Sequence, residues 1–371
     1  MLLGRAHMTV GKGRCAARDR FTGVHFAKLS QMQAEQLSQL EQLCERLYNS
    51  ADPAERSHAE QTLRGFWSST EYISQCQVLL DQSSHPYAHL LAANSLVRQV
   101  TESSVTPKLR LDIRNYVLTF LFNHGQSLEV FVATALVQLL CRTTKLGWFD
   151  TDTATAAMPH HEIVQDVMKF LQAGPSHYYL GLKILNQLAA EMNQPTQGRS
   201  LTHHRKTAVS FRDTSLLQMF QVSLQSLGQL QRDPAADLRH REQAMCLALK
   251  CLSFDFVGTS LDESTEDLGN IQVPSSWRAQ IEDPATMQLF LDVYAATTPP
   301  LSNTALECLT RLASVRRSLF TTESDRNKFL VPITVLPEPP ALLSTLLLPC
   351  FLQSAVHSIC LYMDKPRGML T

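Results

Sequence analysis

At 371 residues, with 44% hydrophobic and 18% charged residues and a formal net charge of −1, the chain has apolar material for a large core and no excess of either sign. That balance excludes a chain-wide basic footprint for nucleic acid or a polybasic membrane face, and leaves any charged partner to a local patch. The nine cysteines stand singly, at 15, 44, 76, 141, 246, 251, 308, 350 and 360, with no CxxC pair, which argues against zinc or disulfide frameworks and for a reduced, intracellular chain with core thiols.

The first 32 residues are basic and lack a continuous apolar run, so they do not form a secretory signal. Their arginines and acid-free opening are compatible with a mitochondrial presequence, but no clear amphipathic face supports one; the reading is a disordered leader over 1–32. From 33 to 48, Leu37, Leu40, Cys44, Leu47 and Tyr48 fall at the spacing of one buried helical stripe.

The stretch 52–100 predicts three short amphipathic helices. Asp52-Pro53 supplies an N-cap and a proline at the first helical position. Ala59, Leu63, Phe66 and Trp67 are expected inward, Ser68 to Thr70 interrupts, and Ile73, Cys76, Leu79 and Leu80 lie on the next helix. Pro86 opens the third, which is apolar around more than half its circumference, as a helix flanked on two sides would be.

After Thr106-Pro107 comes a helix with Leu109, Ile113, Tyr116, Val117 and Phe120 on one face, ending at His124-Gly125. Leu128, Phe131, Val132, Ala135, Leu136, Leu139 and Leu140 give the cleanest helical period in the chain. That helix is expected to end near Lys145, where a cation suits the negative helix terminus.

Beyond the connection at 146–161, one helix is expected with Ile163, Val164, Val167, Phe170 and Leu171, and a second with Tyr178, Leu182, Leu185, Ala189 and Met192. Residues 193–202 read as a linker, the basic cluster His203 to Lys206 as its end, and Phe211 to Ser215 as a cap for the helix bearing Leu216, Phe220, Leu224 and Leu227. A helix over about 235–252 precedes a long acidic loop at 254–283. Asp283-Pro284 caps a helix with Met287, Phe290, Leu291 and Tyr294, and Pro299-Pro300 separates it from one with Ala305, Cys308, Leu309 and Leu312.

Short antiparallel helices punctuated by Asp-Pro, Thr-Pro and Gly, with no alternating strand pattern, point to an all-α fold: an α-solenoid of HEAT-like helical hairpins with a unit near 40 residues. No motif for catalysis is present, neither G-x-x-x-x-G-K-[ST] nor G-x-S-x-G nor H-E-x-x-H, and His160 and His161, expected in a loop, have no third ligand at metal spacing. No enzyme activity, metal or cofactor is expected.

The residues AEQTLRGFWSSTEYISQCQVLL and YAHLLAANSLVRQV, between 59 and 100, resemble the importin-β N-terminal domain of nuclear transport receptors. More narrowly, LRLDIRNYVLTFL, ATALVQLLCRTTKLGWFD, HHRKTAVSFRDTSL, CLSFDFVGTSLDES, VPSSWR and RLASVRRSLF are similar to the exportin-7 and Ran-binding protein 16/17 group, a likeness running from about 37 to 330. The resemblance implies a right-handed α-solenoid of the importin-β/exportin type. It further implies a receptor that binds the GTP form of the small GTPase Ran through repeats at 33–145, carries protein cargo out of the nucleus, and touches nucleoporins while shuttling between nucleus and cytoplasm. Further repeats would fill 146–330. The alternative is a HEAT scaffold that binds Ran or other partners without export.

A solenoid offers a concave surface lined by the second helix of each hairpin. On the helices at 86–102 and 128–145, Asn94, Arg98, Gln138, Arg142 and Lys145 are candidates to face a partner, and the acidic residues Asp262, Glu263, Glu266 and Asp267 could meet a basic surface. After Leu330 the pattern breaks into a Pro-rich apolar tail at 331–371, in which 341–363 is uncharged and long enough to span a bilayer. Pro349, Gln353 and His357 weaken a span, so the tail reads as sequence foreign to the repeats, of the kind found at an alternative splice or gene-model boundary, and no membrane insertion is expected.

Overall fold

The structure is a computed structural model that describes residues 34–152, 155–233, 235–256 and 271–334. These form helices almost throughout. Among the described residues the β content is a single isolated parallel bridge between Ile271 and Val315. The fold class is all-α, of the HEAT-solenoid type. Two compact units divide at Thr143/Thr144.

The first unit contains α1 (Ala34–Asn49), α2 (Pro53–Ser68), α3 (Ile73–Gln82), α4 (Pro86–Glu102), α5 (Pro107–His124) and most of α6 (Val130–Leu146). Proline stands at the first turn of α2, α4 and α5, where its missing N–H costs nothing. Asp52 caps α2 by accepting from the Ala54 amide at 2.8 Å, and Thr106 caps α5 through Leu109 at 3.3 Å. Each cap follows directly from its Asp-Pro or Thr-Pro pair.

α4 packs against α1, α2 and α3 together, and its burial reflects that: Ala88, Leu91, Ala92, Ala93, Leu96 and Val100 all lie inside. Gln99, fully buried, donates to the main-chain oxygen of Phe66 near the end of α2, satisfying a carbonyl that the helix terminus leaves without an intrahelical partner. α1 has neighbours on fewer sides. Of its expected stripe only Cys44 is buried, while Leu37, Leu40 and Leu47 are half-buried and Tyr48 is exposed.

The second unit contains α7 (Ile163–Ala173), α8 (Pro175–Asn193), α9 (Leu201–Phe211), α10 (Leu217–Arg232), α11 (Leu238–Leu252), the short α12 (Arg278–Glu282), α13 (Pro284–Ala296), α14 (Leu301–Ala313) and α15 (Glu323–Thr334). Hairpins pair α7 with α8, α10 with α11 and α13 with α14. The second members, α8, α11 and α14, also pack on one another in sequence, as stacked hairpins require. Helices with neighbours on two sides need apolar residues on two sides, and α8 buries Leu180, Leu182, Ile184, Leu185, Leu188, Ala189 and Met192.

Several local expectations change. The basic cluster His203 to Lys206 lies inside α9, whose cap is Ser200, accepting from the His203 amide. Phe211 to Ser215 caps nothing: Arg212–Leu216 is a π-helical turn through which α9 passes directly into α10. α11 is capped by Asp237 through the Arg239 amide at 2.9 Å, so the helix starts three residues later than its expected start at 235. His160 and His161 occupy a 3-10 turn, Pro159–Glu162.

At the edges of the acidic loop, Phe254, Phe256 and Trp277 are buried and pack together, with Phe256 edge-on to Trp277 at 5.4 Å. Residues 257–270 lie outside the described residues, as do the leader 1–32 and most of the tail. α15 carries Pro332 and extends to Thr334, past the expected break at 330. No helix among the described residues is long and apolar enough to cross a membrane.

Burial pushes the Cys44 and Cys76 thiols up to about 12, and those of Cys251 and Cys308 upward as well, so these cysteines are inert packing groups. No group of three or more metal-ligating side chains occurs among the described residues.

Candidate partner-binding surface

In the first unit, the exposed sides of α4 and α6 run alongside each other. On α4, Tyr87, Asn94 and Arg98 stand seven and four residues apart, which places them on one stripe of the helix. On α6, Phe131, Gln138 and Arg142 repeat the same spacing. The two stripes are tied at both ends: Tyr87 stacks on Phe131 with ring centres 5.7 Å apart, and Arg142 Nη1 donates to Thr101 Oγ1 at 3.3 Å.

Asn94, Arg98 and Gln138 are exposed and Arg142 is half-buried. Arg98 pairs with Glu102 at 2.9 Å, one helical turn on, with both side chains more than half exposed. Such a pair contributes a few tenths of a kcal/mol at most, about 0.3–0.5, so it can be exchanged for a pair with a partner at small cost. The Tyr48 phenol is held above its ordinary range, chiefly by burial, and Asn94 acts on it in the opposite direction.

Lys145 stands apart from this stripe. Lys145 belongs to the second unit; its side chain is 4% exposed, and its ammonium donates to the main-chain oxygens of Glu191 and Gln194. The expectation that it faces a partner is therefore corrected. Three residues after Arg142, Lys145 lies on the buried side of the helix with Thr143 and Thr144, where it serves the carbonyl end of α8. Asp262, Glu263, Glu266 and Asp267 fall outside the described residues.

The surface also has an aromatic component that the helical periodicity assigned to the core. Tyr48 and Phe131 are 36% and 39% exposed, and Val130 beside Phe131 is 74% exposed. Tyr48 stacks on Tyr87, and Tyr87 on Phe131, with ring centres 5.7 Å apart in each pair, so one row of rings crosses α1, α4 and α6. Period alone missed them because an apolar residue at the margin of a core stripe reads as core. The signal present in the sequence was the spacing that sets Tyr87 on the stripe of Asn94 and Arg98. Trp67, expected inward, is likewise only half-buried.

Comparison with known proteins places this surface in a family context. The importin-beta N-terminal domain family matches residues 59–123, from α2 to the end of α5. The chain is 43% identical over 305 residues to Exportin-7-A of Xenopus laevis, 40% identical over 303 residues to Ran-binding protein 17 of Homo sapiens, and 39% identical over 305 residues to Ran-binding protein 16 of Drosophila melanogaster. These matches take in 79–80% of this chain and 27–28% of each relative, so the chain spans about a quarter of the length of the relatives it matches. Over that matched part the chain belongs to the importin-β superfamily, in the group of exportin-7 and Ran-binding proteins 16 and 17.

Proposed function

We propose that the chain acts in nuclear export: its first unit binds Ran in the GTP form, protein cargo is gripped by the helical stack, and the complex shuttles between nucleus and cytoplasm by touching nucleoporins. The observation that carries this reading is the double stripe of exposed Asn94, Arg98 and Gln138 with half-buried Arg142, raised on helices whose neighbours match the importin-β N-terminal domain. Relatives named for export and for Ran binding support the choice of partner. The paired stripes present hydrogen-bonding and cationic groups on a rigid scaffold, the arrangement expected of a surface that reads one conformation of a folded partner.

Export in this reading needs Ran and cargo to favour each other, and such coupling is reciprocal: each ligand tightens the other by the same factor. The test is a pull-down with Ran loaded with GTP or with GDP. Selective retention of the GTP form is expected; equal retention of both, or of neither, overturns the reading.

A further inference from the structure

The aromatic row does not end at Tyr48. It continues into a groove of about 430 Å³ between α1 and the start of α4, lined by Ser38, Glu41, Gln42, Glu45, Arg46 and His85. Tyr87 lies 5.8 Å from the His85 ring, and His85 Nε2 lies 3.2 Å from Glu45 Oε2, whose side chain is 44% exposed. Glu41 accepts from Ser83 Oγ at 2.6 Å, which fixes its carboxylate at the groove wall. Glu41, Glu45 and Tyr48 fall at spacings of four and three residues on α1, one face of that helix.

From the contiguity of carboxylates and exposed rings we infer a second docking site on the first unit, for a protein segment that carries an apolar anchor followed by an arginine. The rings and Val130 offer unfilled apolar area to the anchor. The groove beside them offers two carboxylates against a single arginine, Arg46, and a guanidinium there can pair with Glu45 while lying against Tyr48 or Tyr87. His85 and Asn49 already stand beside the two oxygens of Glu45, and a guanidinium, with its planar fork of N–H donors, would take the place of the single imidazole nitrogen. The site uses α1 and the opening turns of α4 and α6 and meets the proposed Ran-binding stripe at Tyr87 and Phe131, whereas the polar members of that stripe, Asn94, Arg98, Gln138 and Arg142, lie farther along α4 and α6. It goes beyond the export reading and does not depend on it.

The test uses the full chain and two fluorescein-labelled peptides of equal length, one with leucine flanked by arginines and the other with citrulline in place of each arginine. Citrulline keeps the shape and removes the charge. Fluorescence anisotropy is expected to show binding of the arginine peptide, with the citrulline peptide weaker by about tenfold. Glu45→Gln and Tyr87→Leu should each weaken the arginine peptide by about three- to tenfold, and Arg64→Ala, at an exposed position of α2, should leave it unchanged. Circular dichroism checks that each variant is folded, with Tyr48→Leu replacing Tyr87→Leu should the latter unfold. Equal binding of the two peptides, absence of binding, or indifference to Glu45→Gln and to the tyrosine variant overturns the inference. No GTPase enters the assay, so a negative result here is distinct from a negative Ran pull-down.

Discussion

Lys145 Nζ donates to the main-chain oxygen of Glu191 at 2.7 Å and stands 3.9 Å from that residue's own carboxylate, with the two side chains 4% and 8% exposed. One ammonium therefore serves both the carbonyl terminus of α8 and a buried acid. Removing it takes the cation from beside a buried acid, which is costlier than the pair itself is favourable. Lys145→Met is expected to lower unfolding free energy by about 3 kcal/mol, and Lys145→Met with Glu191→Gln by less than that, since the second change also removes the acid beside which the cation stood. Urea unfolding of both variants checks this; equal losses would show that Glu191 plays no part.

Gly147 and His160 make a second local dependence. A Cβ on Gly147 would run into the ring of His160, which is fully buried and cannot swing into solvent. At Gly65 the obstacle is the Tyr72 ring at 2.8 Å, and that side chain is half-exposed and can yield. Gly147→Ala should cost about 1–3 kcal/mol, as overpacked cores do, and Gly65→Ala clearly less. Thermal melts of the two variants in parallel decide the order.

Stability should fall in mild acid. Burial holds the imidazoles of His89, His161, His203 and His204 below their ordinary range, and at His203 the cations Arg199, Lys145 and Lys206 add to it. A histidine depressed in the folded state binds its proton more readily when unfolded. Its stabilising contribution is complete above the unfolded value of about 6.5 and is lost as pH falls from there toward the folded value. Urea midpoints are expected to drop between about pH 7.5 and 5.5, and His161→Phe, which keeps a ring stacked on Trp148, should make that drop shallower. A flat profile in the parent chain contradicts the expectation.

The double stripe makes a prediction that separates binding from folding. Arg98→Ala with Arg142→Ala should weaken retention of GTP-loaded Ran by about tenfold or more. Arg98 is exposed and Arg142 half-buried, so the unfolding free energy should move by no more than about 1–2 kcal/mol. Isothermal titration and urea unfolding on the same sample read the two effects; a large loss of stability would mean that Arg142, bonded to Thr101 at 3.3 Å, is chiefly structural.

What the sequence determined by itself were the elements and their caps. Apolar period, Asp-Pro and Thr-Pro pairs place α2, α5 and α13 within a residue of their observed starts, because a side-chain cap and a ring-fixed φ act within one turn of chain. The all-α class followed from the same local signals. So did the exposed positions of Asn94, Arg98 and Gln138, which lie off the apolar stripe of their helices.

Only the tertiary structure decided which margins of those stripes are covered. Phe131 and Tyr48 continue an apolar period yet stay partly outward, since Tyr87 of α4 stacks on each ring and leaves more than a third of each residue exposed. Lys145 breaks an apolar period yet lies inside, because the end of α8 presents it with carbonyl oxygens. The passage from α9 into α10 is of the same kind: Asp213-Thr214-Ser215 carries the residues of a cap, but packing of Phe211, Ser215 and Leu216 into the core holds the turn helical. Burial is a relation between elements distant in sequence, and a periodicity computed along one helix contains no term for the helix on the other side.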